Sequence, residues 1–196
     1  DGDYYFVNSS GAKIVNDWRL TTPYEDEDAD EEWFYFQSTG KRADNKKILY
    51  KGSTFFFDAD GKMLTGWVTA DGNDVVNEEN EIDKDYTFVC DETGARVEGA
   101  WVKDVAPGVD DDDADADEYW YYLKKATGKP ATGKQSNING QIYLFNEEGQ
   151  MQYGWVARSD SSTKNFVQLD KEDEEQDMIL LSEYADSEVY YCGDED

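Results

Sequence analysis

The chain has no histidine, and its 196 residues include only two cysteines, three prolines and three methionines. Without histidine, Ser-His-Asp and Cys-His nucleophilic catalysis, histidine general bases and His-rich zinc sites are all excluded. Cys90 and Cys192 form neither a disulfide framework nor a CxxC metal spacing. No apolar run approaches the roughly 20 residues that span a bilayer, so membrane insertion is not expected. Positive charge is also scarce: 18 Lys and Arg face 46 Asp and Glu, a formal net charge of −28. A field of that sign repels phosphate backbones, which excludes nucleic acid as a partner. The chain opens Asp1-Gly2-Asp3-Tyr4, without an initiator Met, as expected of a piece of a longer protein.

Against these absences stands a wealth of aromatic residues. Six Trp, 14 Tyr and nine Phe make up 15% of the chain. Acidic disordered chains are poor in aromatics because they bury nothing, so this chain is expected to fold. The aromatics recur in a pattern: an aromatic strand, a short polar turn ending in Gly, and a return strand often ending in Trp. Copies run from Tyr4-Tyr5-Phe6 to Gly11, from Trp33-Phe34-Tyr35-Phe36 to Gly40, and from Phe55-Phe56-Phe57 to Gly61. They continue from Tyr86-Thr87-Phe88 to Gly94, from Trp120-Tyr121-Tyr122 to Gly128, and from Ile142-Tyr143-Leu144-Phe145 to Gly149. Another copy begins at Val189-Tyr190-Tyr191.

Each copy reads as a β-hairpin, because aromatic and β-branched residues suit a pleated surface and Gly suits a turn position with positive φ. The expected fold is all-β: a β-hairpin solenoid in one repeat domain over residues 1–196. Hairpins are expected near 3–20, 32–47, 53–69, 85–103, 119–135 and 141–157, with a truncated one from 188. Acidic insertions are expected near 24–32, 76–85, 109–118 and 170–188. Isolated hairpins are marginal in water, so neighbouring copies must cover one another's aromatics. Gly40 to Gly128 and Gly61 to Gly149 are both 88 residues, so the unit of organisation is a triplet of hairpins occurring twice. In the middle copies, Lys46 and Lys134 occupy the place where a Trp would stand.

The run Phe56-Phe57-Asp58-Ala59-Asp60-Gly61-Lys62-Met63-Leu64-Thr65-Gly66-Trp67-Val68 resembles the cell-wall-binding repeat of Gram-positive surface proteins. That superfamily includes choline-binding modules, streptococcal glucan-binding domains and the repetitive tails of large clostridial toxins. The resemblance implies a secreted or cell-surface module that binds a glycan or cell-wall polymer and is not an enzyme. It further implies that aromatics of adjacent hairpins form the sites. The matching residues are Trp18 with Trp33 and Tyr35, and Trp101 with Trp120 and Tyr122. Trp67 with Tyr86 and Phe88 is a poorer match, and Trp155 is a further candidate. Such rings box a quaternary ammonium, as in choline, or stack on the apolar face of a sugar. A glycan is preferred to choline here. The competing readings are that the rings only pack the hairpins together, or that the chain is an acidic spacer or protein-interaction module.

The acidic insertions recur in phase, with Asp28-Ala29-Asp30-Glu31 before Trp33 and Asp115-Ala116-Asp117-Glu118 before Trp120. Asp28, Asp30, Asp115 and Asp117 are weak candidates for Ca²⁺, which takes six to eight oxygen ligands. EF-hand spacing is missing, and solvated acidic loops are the favoured reading. Asp58-Ala59-Asp60-Gly61 is a fragment of a calcium loop that a hairpin turn explains fully. No cofactor is expected. Carboxylate pairs suited to glycoside hydrolysis will arise by chance among 46 acids, but a catalytic acid needs burial that these exposed runs do not suggest. Cys90 and Cys192 occupy equivalent repeat positions and are expected as buried small hydrophobes, not a bridge. The oligomeric state is left open.

Overall fold

Strands form where aromatic residues run together, and the two faces of each strand then diverge in role. A computed structural model describes residues 2–24, 26, 28–71, 74–76, 87–109, 115–158, 166–169 and 188–193. The described residues contain fourteen strands and no helix. The expected insertions at 76–85 and 170–188, and Asp110–Asp113 of a third, fall largely outside them. The chain divides into two compact units, Asp1–Val97 and Glu98–Asp196.

Among the described residues each unit holds three antiparallel sheets. In the first, β1 (Asp17–Thr21) pairs with β2 (Glu32–Phe36), and β3 (Lys46–Tyr50) with β4 (Ser53–Phe57). The third ladder joins β5 (Gly66–Asp71) to β7 (Thr87–Cys90), with β6 (Asp74–Val76) on the other edge of β5. The second unit repeats the plan. There β8 (Ala100–Val105) pairs with β9 (Glu118–Leu123), and β10 (Gly133–Ile138) with β11 (Gln141–Phe145). Its third sheet runs β13 (Phe166–Gln168), β12 (Trp155–Arg158), β14 (Val189–Tyr191).

The hairpins are therefore all-β repeats as expected, but their phase differs from the sequence reading. The ladders join each Trp strand to the aromatic strand that follows it, not to the one before. The glycine turns are instead tight reversals, each marked by a single bridge such as Phe36–Arg42, Phe57–Met63 or Phe145–Met151. Two corrections follow. The expected hairpin boundaries from 32–47 to 141–157 each straddle two ladders, the expected hairpin at 3–20 holds only the first strand of one, and Val189-Tyr190-Tyr191 is the last strand of the sixth sheet, not the start of a seventh hairpin. Acidic insertions such as 24–32 thus lie within a ladder, between its two strands, not between hairpins. The middle ladders close with two-residue turns of positive φ, Lys51-Gly52 (49° and 91°) and Asn139-Gly140 (53° and 84°). That geometry matches the twist of the flanking strands.

The glycine turns stitch neighbouring hairpins together. The residue two after the glycine donates its backbone N–H to the aromatic strand one hairpin earlier: Arg42 to Tyr4 O (2.9 Å), Met63 to Trp33 O (2.9 Å) and Arg96 to Thr54 O (2.8 Å). Met151 does the same to Trp120 O (2.8 Å). Alternate residues then fill two separate cores. Phe34 and Phe36 pack with Ile14 and Phe6, whereas Tyr35 packs with Ala43, Phe57 and Trp18. Cys90 is buried among Phe56, Val68 and Phe88, and its thiol is pushed up to about 12 by burial. Cys192, against expectation, is exposed, and both cysteines are free. Cys90 is covered by the return of its own turn, where Arg96 bridges back to it; no such return follows Cys192 among the described residues.

Candidate functional site

The register of β1 and β2 sets Trp18 directly opposite Tyr35, with Trp33 two residues away on the same face. The stitched hairpin β3–β4 then brings Tyr50, Phe55 and Phe57 against the same indole. From Trp18 the ring centroids lie at 6.4 Å (Trp33), 5.1 Å (Tyr35), 5.7 Å (Tyr50), 4.9 Å (Phe55) and 5.6 Å (Phe57). Most meet edge to face, the arrangement that ring quadrupoles favour. Trp18 is half-buried and Tyr35 buried, and burial raises the Tyr35 hydroxyl above its usual pKa. Trp33 is 43% exposed. Trp18 is thus the hub of the cluster, and Trp33 offers the ring surface that a ligand can reach.

The second unit rebuilds this cluster around Trp101. Its neighbours are Trp120 at 6.5 Å, Tyr122 at 5.2 Å, Tyr143 at 4.8 Å and Phe145 at 5.9 Å. Two positions differ in chemistry. Ile138 stands where the first cluster has Tyr50, and Tyr143 stands where it has Phe55. The structure therefore assembles both of the stronger candidate sets. The third is described only in part. Trp67 lies opposite Val89, and Phe88 turns to the other face to stack on Phe56 at 5.4 Å. Tyr86 lies outside the described residues. Trp155, at the sixth ladder, is 40% exposed and faces the exposed Tyr191 at 5.3 Å. In the middle ladders Lys134 does occupy the Trp position, opposite Leu144. In the first unit Lys47, not Lys46, sits opposite Phe56; a register shift between Gln135 and Ile138 accounts for the offset.

One aromatic site escaped the sequence reading. Tyr4, Tyr24, Phe34 and Phe36 line a cleft of about 290 Å³ in the first unit. Tyr24 is largely exposed and its ring meets Tyr4 at 5.7 Å. Arg42 forms the floor: it is 7% exposed, lies 4.0 Å over the Tyr4 ring, and donates from Nε to Asp44 Oδ1 at 2.5 Å. The signal in the sequence was Tyr24, a lone aromatic at the head of an acidic insertion.

The acidic candidates are less organised. Asp28, Asp30, Asp115 and Asp117 are exposed, and no group of three or more Cys, Asp or Glu side chains among the described residues is placed to hold a metal. Asp58 is a turn residue: its Oδ1 accepts from the backbone N–H of Asp60 (2.9 Å) and Lys62 (2.8 Å).

Stitched antiparallel hairpins with recurrent Trp–Tyr clusters define an all-β hairpin-repeat fold. No family model matches the chain. A curated relative, Glucosyltransferase-S of Streptococcus mutans, is 28% identical over 180 residues, covering 80% of this chain and 11% of the relative. Among crystal structures, choline binding protein F of Streptococcus pneumoniae matches 85% of this chain and 44% of its own at 21% identity, with a TM-score of 0.51. A second structure of that protein, in the presence of a tetrasaccharide-pentapeptide peptidoglycan analogue, matches 76% of this chain and 38% of its own at 23% identity, with a TM-score of 0.49. The chain thus spans a small part of the glucosyltransferase and less than half of the choline binding protein. The likeness to choline binding protein F is one of fold, the hairpin repeat.

Proposed function

We propose that the chain is a non-catalytic module that binds a glycan or cell-wall polymer at the surface of, or outside, a Gram-positive cell. The observation that carries this reading is the recurrence of one Trp–Tyr cluster at equivalent places in both units, each with a Trp held against the hub ring. A fold built only for packing has no need to leave Trp33 and Trp155 open to water. The names of the relatives, one a glucosyltransferase and the other a choline binding protein, support a saccharide or wall polymer as the ligand class. Binding is multivalent: individually weak ring–sugar contacts on one polymer combine through their effective concentration. Choline is the less favoured ligand, because the rings that would box it are drawn together around Trp18 and Trp101.

The test is a titration of intrinsic tryptophan fluorescence with α-glucan, wall polysaccharide and choline. A spectral shift with a polysaccharide, lost in Trp33→Ala plus Trp155→Ala at unchanged melting temperature, is the expected result. Trp18→Ala serves as the contrast. Deleting that hub leaves a cavity among five rings and lowers stability by about 3–5 kcal/mol. No response to any polymer would sink the binding reading in favour of a spacer.

A further inference from the structure

In a chain with 46 acids and 18 cations, three cations gather at one cleft among the described residues. The second unit contains a cleft of about 430 Å³ lined by Lys124, Lys134 and Arg158 together with Phe166, Glu188 and Tyr190. The three cations come from different parts of the unit: the turn after β9, the start of β10 and the end of β12. Among the described residues one carboxylate, Glu188, accompanies them. Glu188 accepts a hydrogen bond from the Tyr190 hydroxyl at 2.5 Å and lies 3.9 Å from an Arg158 terminal nitrogen. The Lys134 ammonium stands 5.4 Å over the Tyr190 ring. No carboxylate among the described residues pairs with Lys124 or Lys134 within ion-pair distance. Burial, and then the nearby charge of Lys129, hold the Lys124 ammonium below the usual lysine pKa.

The first unit supplies an internal control. The repeat register aligns Lys124, Lys134 and Arg158 with Gln37, Lys47 and Ala70. The same fold therefore stands without two of these cations, and the hairpin architecture does not require them. What they add is an electropositive recess beside an aromatic wall. We propose that this cleft is a second binding site, distinct from the Trp101 cluster, for an anionic group borne on a polysaccharide, a uronate carboxylate or a phosphodiester. Lys134 and Arg158 form charge-assisted hydrogen bonds to the anion, and the Tyr190 ring packs on the adjoining sugar. The net charge of −28 does not forbid this, because screening reduces its reach to about 8 Å at physiological ionic strength. Within that distance the described lining holds three cations and one carboxylate.

The experiment is calorimetric titration of the whole chain with trigalacturonate, with a glycerol-phosphate oligomer and with neutral maltotriose. At least one anionic oligomer is expected to bind, with affinity falling steeply as salt is raised, while maltotriose leaves the cleft silent. Preference between the two anions identifies carboxylate or phosphodiester as the source. Lys134→Gln and Arg158→Gln are each expected to weaken the anion at least tenfold, with circular dichroism unchanged. The double variant Trp33→Ala/Trp155→Ala retains anion binding, which separates this site from the aromatic one. Lys47→Gln in the first unit is expected to change nothing. Failure of both anions to bind, equal binding of maltotriose by the Trp33→Ala/Trp155→Ala variant, or full affinity in Lys134→Gln and Arg158→Gln overturns the proposal.

Discussion

At the scale of the residue, the turn position occupied by Asn8, Asp58, Asp91 and Asn146 repays comparison. In each case the side-chain oxygen accepts the backbone N–H four residues on: Ala12 (2.9 Å), Lys62 (2.8 Å), Ala95 (3.0 Å) and Gln150 (2.8 Å). Amide and carboxylate therefore perform the same service, and only the charge differs. Half-burial raises the Asp58 pKa above 3.8, partly offset by those backbone bonds. A raised carboxylate pKa means that folding disfavours the charged form. The penalty is absent at low pH, where the group is protonated in both states, and sets in as pH rises through the folded pKa. Asp58→Asn is accordingly expected to match or exceed the native melting temperature at pH 7, an advantage that vanishes below the acidic transition. Asp58→Ala, which removes the acceptor, should lower stability by about 1 kcal/mol at either pH. Thermal melts of the three proteins at pH 7 and pH 3 decide the matter; equal losses in both variants at pH 7 would remove the acceptor argument.

The glycine turn is the informative element. Gly11 and Gly149 share a positive φ, 79° and 86°, but differ in surroundings. A Cβ on Gly11 meets nothing within 4 Å, whereas one on Gly149 would stand 2.8 Å from Pro130 Cβ and 3.3 Å from Ala131 O. Gly11→Ala should cost only the left-handed backbone, about 1–2 kcal/mol. Gly149→Ala should cost about 1–3 kcal/mol more, because a proline ring and a backbone carbonyl cannot step aside. Urea unfolding followed by fluorescence measures both, and equal values would show that turns do not stack through this contact. The strands and these glycines were legible in the sequence because aromatics and Gly recur at fixed spacing. The pairing phase was not. Every aromatic strand has a turn on each side, and the long acidic connection after Trp18 or Trp101 made the short glycine turn look like the one that closes the ladder. Lys51-Gly52 and Asn139-Gly140 held the answer, since a two-residue turn of that kind fixes which strands pair. Among the sites, the Trp18 and Trp101 clusters could be read because they repeat. The cation cleft could not, because Lys124, Lys134 and Arg158 are scattered in sequence and meet only through the fold.

For the molecule as a whole, charge and aromatic content occupy different parts of the chain. Asp110 to Glu118 is acidic at every position except Ala114 and Ala116, in a connection between two strands that carry Trp101 and Trp120. With no converging carboxylates among the described residues, self-repulsion is the expected electrostatic character of these connections. Raising NaCl from about 0.01 M to 0.15 M shortens the screening length from about 30 Å to 8 Å and should raise the melting temperature. Micromolar Ca²⁺ at matched ionic strength should add nothing; a selective rise would instead reveal an ion held by the acidic connections.

Because each aromatic cluster is closed by the hairpin that follows it, its composition is decided at a junction. Trp18 meets Tyr50 and Phe55, and Trp101 meets Ile138 and Tyr143, although the two tryptophans stand at the same point of the repeat. Genetic exchange that breaks within a glycine turn moves a hairpin whole and gives the preceding tryptophan a new set of neighbours. Specificity in such an array can therefore change by reordering existing hairpins, with no substitution in any of them.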